Sequence, residues 1–209
     1  WRFFSRAGFG APPQLGFPGE AAGRLRPAAS WRPVEQATMA YGHGISVSLM
    51  QLARAYTIFA RDGELIPVTL LKSPQAAAGT RVVSVRTARA VRAMLELAVQ
   101  PGGTAPRARI MGWRVAGKTG TEHKQENGGY APDKYIASFV GLAPASDPRL
   151  VIAVMLDEPS AGQYYGGVVA APVFAQVAQG ALRLLGVPHD APLEPVPLPG
   201  EGEEAREST

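Results

Sequence analysis

Apolar residues recur three and four positions apart in two stretches of the chain, residues 48–62 and residues 84–99. This is the spacing of an amphipathic helix whose apolar stripe faces a protein core. Ser48 and Ser84 are suited to cap the two N-termini, and Gly63 is suited to the left-handed conformation that ends a helix. We therefore predict two core-facing helices.

The hydrophobic period changes after the second helix. Residues 110–121 alternate as a strand does, and residues 135–145 and 149–159 are β-rich runs bounded by Gly, Pro and Asp. Three strands in a row with turn-rich links predict an antiparallel meander. A last helix is predicted over 168–185, with Pro172 near its first turn, where proline is tolerated. The pattern indicates the α+β class.

The two ends of the chain lack such periodicity. Residues 1–33 are rich in Gly, Pro and aromatics, which predicts loops with short elements, and residues 34–44 begin like a helix and end at glycines. Residues 187–209 are Pro-rich and acidic, with almost nothing to bury. We predict a disordered tail over 187–209, following a single folded portion over 1–186.

Composition narrows the possible classes. The 209 residues are 46% hydrophobic and 18% charged, and they include no cysteine, which excludes disulfides, thiolate metal sites and a Cys nucleophile. Apolar runs such as residues 150–156 are too short to cross a bilayer. The chain begins at Trp1 rather than at Met. We expect a soluble piece of a longer protein, with any membrane anchor upstream.

The charge is uneven along the chain. Through Gly186 there are 20 Lys or Arg and 11 Asp or Glu, whereas one Arg and six acids follow. Arg86, Arg89 and Arg92 form one stripe on the second predicted helix. A basic body can attract nucleic acid, anionic lipid or a cell-wall polymer. Because no basic motif interleaved with aromatics is present, we favour a solvated surface and expect no nucleic acid partner.

Residues 112–121 (GWRVAGKTGT) fit two motifs at once. Gly112 and the Gly117-Lys118-Thr119 triplet satisfy the phosphate-loop pattern G-x-x-x-x-G-K-[ST], which would make the protein an NTPase. Lys118-Thr119-Gly120 is also the K-T-G triplet of acyl-transfer sites. A phosphate loop must lie between a strand and a helix. The residues after Thr119 contain three glycines and a proline and show no helical period, so the context favours the acyl-transfer hypothesis.

Several ordered blocks extend this second interpretation beyond the triplet. They include GFGAPPQLGFPGE, ATMAYGHGISVSLMQLARAYTIFARDG, PGGTAPRARIMGWRVAGKTGT, YIASFVGLAPASDPRLVIAVMLDEP and YYGGVVAAPVF. With these blocks, residues 1–186 resemble the C-terminal part of the transpeptidase domain of class B penicillin-binding proteins. The resemblance is strongest to the division-specific branch, penicillin-binding protein 3.

The resemblance implies a penicilloyl-serine transferase fold, an antiparallel sheet packed between helices. It implies a peptidoglycan D,D-transpeptidase without a cofactor. Its partners would be D-Ala-D-Ala stem peptides, an amine acceptor, β-lactams and division proteins at the periplasmic face of the bacterial inner membrane. Carried over onto matching positions, Lys118 would assist proton handling, and Thr119 and Thr121 would hold the donor carboxylate. Gly120 would leave room for the substrate, and the Thr121 backbone N–H would form half of an oxyanion hole. Tyr164 and Tyr165 would line the cleft, with simple packing as the alternative for this pair.

One departure limits what this piece can do. In the family, the nucleophile lies in S-x-x-K and a second motif is S-x-N, yet none of the ten serines fits either pattern. We expect both motifs upstream, so that the chain alone is catalytically inert and exposes an apolar face where the rest would pack. A non-catalytic scaffold for division partners remains the alternative.

The three histidines, His43, His123 and His189, have no carboxylate or second ligand at a fixed spacing. A Ser-His-Asp triad and a zinc site therefore lack support, and no metal is expected.

Overall fold

The computed structural model describes residues 1–75, 77–126 and 129–193. The chain divides into two compact units, Trp1–Ala88 and Arg89–Thr209, each with its own hydrophobic core. The helices and strands of the first unit are α1 (Arg2–Arg6), α2 (Pro33–Thr38), α3 (Leu49–Ala60), β1 (Glu64–Leu65) and β2 (Thr80–Arg81).

Helix α3 organises the first unit and confirms the first predicted helix. The Ser48 hydroxyl accepts a hydrogen bond from the Gln51 backbone N–H at 3.1 Å, and the Gln51 side chain accepts from the Ser48 N–H at 2.8 Å. This reciprocal cap satisfies two N–H groups at the start of the helix. The Gln51 amide also donates to the carbonyls of Ala11 and Ala22, so it ties the Gly- and Pro-rich N-terminal loops to α3.

The short helix α2 carries a strongly perturbed carboxylate. Glu35 accepts from the Arg32 backbone N–H at 2.7 Å and from the Arg26 guanidinium at 2.7 Å. These hydrogen bonds, the backbone one foremost, stabilise the ionised form and lower the pKa of Glu35 to about 2. The β1–β2 pair in this unit, Glu64 opposite Arg81, was not predicted.

Helix α4 (Val85–Leu97) confirms the second predicted helix, and Ser84 Oγ accepts from the Thr87 N–H at 3.0 Å as its cap. The further elements are β3 (Ala116–Glu126), β4 (Gly129–Ala143), β5 (Leu150–Asp157), α5 (Gly166–Val169) and α6 (Ala171–Leu184). Strands β3, β4 and β5 pair in that order, all antiparallel, as the predicted meander requires.

The first two strands form a longer hairpin than predicted. Strand β3 starts at Ala116 and runs to Glu126, and β4 starts at Gly129 rather than at 135. Charged pairs line this extension: the Lys134 ammonium lies 2.6 Å from Glu126, and the Lys124 ammonium lies 2.9 Å from Asp157. Because most side chains of the extension are polar, hydrophobic alternation did not reveal it.

Helices α5 and α6 replace the single helix predicted over 168–185. They are separated at Ala170, and Pro172 lies in the first turn of α6, where it needs no N–H partner. One face of α6 packs on the sheet, and Phe174 meets the fully buried Phe139 of β4 edge-on with 4.8 Å between ring centroids.

Within the described residues, one stretch, Gly166–Leu184, is long and apolar enough by length and composition to cross a membrane. Five of its residues are completely buried in the core of the second unit, namely Ala170, Ala171, Phe174, Ala178 and Leu182. One face of this stretch therefore belongs to that core. The side chains of Val177 and Leu184 are exposed, as is Met155 on β5.

Residues 187–193 differ from the predicted tail, because they pack on the second unit. We call this segment the C-terminal strap. Val187 is buried, the Trp113 indole N–H donates to the Pro188 carbonyl at 3.0 Å, and the rings of Trp113 and His189 lie 4.2 Å apart. These contacts to Trp113 and the burial of Val187 place the segment against the second unit despite its Pro-rich composition. The rest of the predicted tail, 194–209, lies outside the described residues.

Asp190 completes the strap. Its carboxylate accepts from the Arg114 N–H at 2.7 Å and from the Ser146 hydroxyl at 2.5 Å. It therefore joins the segment that leads into β3 to the turn between β4 and β5.

Candidate active site

The Lys118–Thr121 motif lies in the middle of β3, which forms one edge of the three-stranded sheet. Lys118 pairs with Val140 of β4, and Thr119 pairs with Phe139. The strand continues through the motif to Glu126, so no helix begins after Thr119. The phosphate-loop interpretation therefore lacks the helix N-terminus that would bind the phosphates.

A line of hydrogen bonds leads inward from the lysine. The Lys118 ammonium donates to the Thr119 hydroxyl oxygen at 3.1 Å and to the Thr119 carbonyl at 3.3 Å. The Thr119 hydroxyl in turn donates to the Thr104 hydroxyl at 3.3 Å. Thr119 is only 7% exposed, whereas Lys118 is exposed. An exposed cation is thus hydrogen-bonded to a buried hydroxyl.

The start of α5 closes against the other half of the motif. The Gly166 N–H donates to the Thr121 hydroxyl oxygen at 3.0 Å. A Cβ on Gly166 would lie 2.7 Å from the Gly120 carbonyl oxygen and closer still to that of Ser138. A Cβ on Gly120 would lie 2.5 Å from the Ser138 hydroxyl. Close backbone packing therefore requires the glycine at 166, whereas at 120 an added Cβ would meet only the Ser138 side chain.

Two tyrosines extend from α5 towards the far end of the hairpin. Tyr164 stacks on Tyr135 with 3.9 Å between centroids and 11° between planes, and it lies 4.6 Å from Tyr165. His123 continues the row, 4.5 Å from Tyr135, and its Nδ1 lies 3.2 Å from the Ala131 carbonyl oxygen. Tyr164 and Tyr165 are thus partly engaged in packing, and both side chains are half-buried.

Lys124, beyond the motif, is paired with two carboxylates. Lys124 donates to Glu158 at 2.7 Å and to both oxygens of Asp157 at 2.9 Å, and these contacts raise the pKa of the Lys124 ammonium. No group of three or more His, Cys, Asp or Glu that could hold a metal ion occurs in the described parts of the chain. The local chemistry is that of a cation and two hydroxyls on an edge strand.

The structure brings together the residues predicted from sequence and adds others. Lys118, Thr119 and Thr121 share β3, and Gly166 links Thr121 to the strand-to-helix loop that carries Tyr164 and Tyr165. Sequence reasoning missed three of the contacting residues: Thr104, Tyr135 and Gly166. All three stand within the blocks that carry the resemblance, but no period or spacing marked them as neighbours of the motif.

A lysine and hydroxyl groups are donors of the kind that stabilise a carboxylate or a developing oxyanion, and an edge strand offers backbone groups to a bound peptide. No serine in the sequence stands in an S-x-x-K or S-x-N pattern that would supply an activated nucleophile.

Comparison with known proteins gives a consistent result. Residues 2–179 match the family described as the penicillin binding protein transpeptidase domain. The chain is 48% identical over 191 residues to a probable peptidoglycan D,D-transpeptidase, PenA, of Neisseria meningitidis. The aligned region covers 91% of this chain and 33% of PenA. It is 39% identical over 188 residues to the peptidoglycan D,D-transpeptidase FtsI of Escherichia coli, covering 90% and 32%. The chain thus spans about a third of the length of these curated relatives.

Solved structures show the same similarity. The apo transpeptidase domain of Burkholderia pseudomallei penicillin-binding protein 3 superposes with a TM-score of 0.87 at 54% identity, over 92% of this chain and 59% of that one. The aztreonam complex of Mycobacterium tuberculosis penicillin-binding protein 3 superposes with a TM-score of 0.82 at 33% identity, over 91% and 47%.

Proposed function

The chain belongs to the penicillin-binding protein transpeptidase family, and from that membership we propose that it supplies one wall of a peptidoglycan D,D-transpeptidase active site. The observation that carries the proposal is the hydrogen-bonded Lys118–Thr119 pair on an edge strand, continued by Thr121. This is the arrangement that anion recognition beside an acyl-transfer centre needs.

The reaction follows the chemistry of acyl transfer. A serine oxygen attacks the carbonyl of the D-Ala-D-Ala bond in a donor stem peptide, and its proton passes to the departing D-Ala amine. An amine on a neighbouring stem then attacks the acyl-enzyme ester; a new amide bond forms, the ester C–O bond breaks, and a proton of the amine returns to the serine oxygen. The serine and its partner lysine would come from a part of the protein outside this chain, because no serine here fits the pattern.

This chain's residues act on the donor side. Lys118 places a positive charge and N–H donors beside the developing oxyanion, and the Thr119 and Thr121 hydroxyls receive the terminal carboxylate of the donor. Tyr164 and Tyr165 form an aromatic border between α5 and the hairpin. A β-lactam carries a carbonyl and an anionic group at comparable spacing, and relatives have been solved with aztreonam and with ampicillin.

The relatives also suggest where the protein works. We propose that it acts in septal peptidoglycan synthesis at the periplasmic face of the inner membrane, with other division proteins as partners. The resemblance to the FtsI and penicillin-binding protein 3 group supports this assignment.

The proposal is tested by intact-mass detection of a covalent penicillin adduct. The 209-residue chain is treated with penicillin alone, and then after mixing with the preceding part of a homologous transpeptidase that carries S-x-x-K. We expect an adduct only in the mixture, on the preceding part. Lys118→Ala should lower the rate of adduct formation by about a hundredfold, the scale of losing one electrostatic contact to an oxyanion.

Lys124→Ala is the matched control, because it removes a lysine from the same strand beyond the motif. A comparable loss in both variants would contradict the specific role of Lys118. An adduct on the chain alone would show that one of its own serines is a nucleophile. Folded mixtures that never form an adduct would favour a non-catalytic scaffold, and Mg·ATP binding that Lys118→Ala abolishes would restore the NTPase hypothesis.

A further inference from the structure

Thr104 lies outside the predicted motif, yet its hydroxyl ends the line of hydrogen bonds that starts at Lys118. Its Oγ1 lies 3.3 Å from Thr119 Oγ1, although the two residues are 15 positions apart. An ammonium can only donate, so the Thr119 oxygen accepts from Lys118 and the single Thr119 hydroxyl proton is available to Thr104.

The backbone holds Thr104 in a fixed place. The N–H groups of the preceding and following residues donate to the carbonyls of Gln100 at 2.9 Å and Ala98 at 2.8 Å. From the other side, Gly167 at the start of α5 packs so closely that any Cβ there would collide with the Thr104 carbonyl oxygen. The hydroxyl of Thr104 is thus presented to Thr119 from a rigid turn.

We propose that Thr104 is a positioning residue that holds the χ1 rotamer of Thr119 and thereby fixes where the Thr119 hydroxyl lies. The inference rests on the proposed function, in which Thr119 receives a donor carboxylate. In the free site, the Thr119 proton points to Thr104. When the carboxylate binds, the Thr119 proton turns to it, and the Thr104 hydroxyl reverses and donates to Thr119.

The donors and acceptors balance in both states. A hydroxyl has one proton and two acceptor sites. In the bound state, the Thr119 oxygen accepts from Lys118 and from Thr104 while its proton goes to the carboxylate. Hydroxyls linked in this way polarise one another, so Thr104 strengthens a contact that it does not itself make.

The first test uses the 209-residue chain and needs no catalysis. Three-bond couplings from the Thr119 methyl carbon to its backbone nitrogen and carbonyl carbon report its side-chain rotamer. We expect a single rotamer in the wild type and in Thr104→Ser, which keeps the hydroxyl, and averaged couplings in Thr104→Val, which keeps the shape. Unchanged couplings in Thr104→Val would overturn the proposal. Averaged couplings in Thr104→Ser would also overturn the proposal, because they would show that the Thr104 methyl group, and not its hydroxyl, holds the Thr119 rotamer.

The second test uses the reconstituted mixture described above. Thr104→Val should slow acylation by penicillin about three- to tenfold, the scale of one hydrogen bond, and Thr104→Ser should stay within about twofold of the wild type. Equal rates for all three proteins would overturn the proposal. If Thr104→Val fails to fold, Thr104→Ala takes its place against Thr104→Ser, and equality of those two is then the contradicting result. Failure of every mixture to acylate would refute the proposed function, while the couplings still decide the role of Thr104.

Discussion

Replacing Gly166 by alanine would test whether the start of α5 must touch the motif strand. The new Cβ would lie 2.7 Å from the Gly120 carbonyl oxygen and closer still to that of Ser138, whereas real Cβ atoms essentially never come within 3.0 Å of such atoms. Both obstacles are backbone, so α5 would have to retreat by more than about 0.3 Å. That retreat would stretch the hydrogen bond from Gly166 to Thr121.

Overpacking costs about 1–3 kcal/mol and a lost hydrogen bond about 1 kcal/mol more, so we expect Gly166→Ala to lower the free energy of unfolding by about 2–4 kcal/mol. The measurement is urea unfolding followed by circular dichroism. Gly180→Ala is the matched control: Gly180 lies inside α6 with nothing within 4 Å of its added Cβ. It should gain about 0.5–1 kcal/mol from helix propensity. The same change in both variants would refute the packing argument.

Three further predictions concern stability and are checked by urea unfolding midpoints. The hydrogen bonds that lower the pKa of Glu35 to about 2 stabilise the fold at pH values above 4.5, the ordinary pKa of this carboxyl group. This stabilisation is lost as the pH falls towards 2. Glu35→Gln should therefore be less stable than the wild type at neutral pH and equal to it near pH 2; a constant difference would contradict this. Asp190→Ala should cost about 1–2 kcal/mol and Ser146→Ala less, since the latter removes only one of the donors to that carboxylate. Phe139→Ala should cost about 3–5 kcal/mol, whereas Tyr130→Ala, at an exposed position, should change little; similar losses would contradict the core assignment.

Local rules predicted helices α3 and α4 because the causes of these two helices are local. The caps at Ser48 and Ser84 each satisfy N–H groups within one turn, and the residue types that do so can be recognised in the sequence. The order of the three strands was likewise predictable, since consecutive strands with short links pair as antiparallel neighbours.

What sequence reasoning missed depends on contacts between distant residues. Thr104 meets Thr119 across 15 positions, and Tyr135 meets Tyr164 across a still longer separation. Neither pair follows a period or a motif. The hairpin extension beyond residue 121 escaped because most of its side chains are polar and give no hydrophobic alternation.

The C-terminal strap determines where this protein can be shortened for laboratory work. Composition alone suggests a cut after Gly186, but such a cut would remove the carbonyl that receives the Trp113 indole N–H and the ring that covers it. A tryptophan that is now 4% exposed would face solvent just before the strand that carries the motif. Expression vectors for crystallisation or binding studies should therefore encode the chain at least through Leu193.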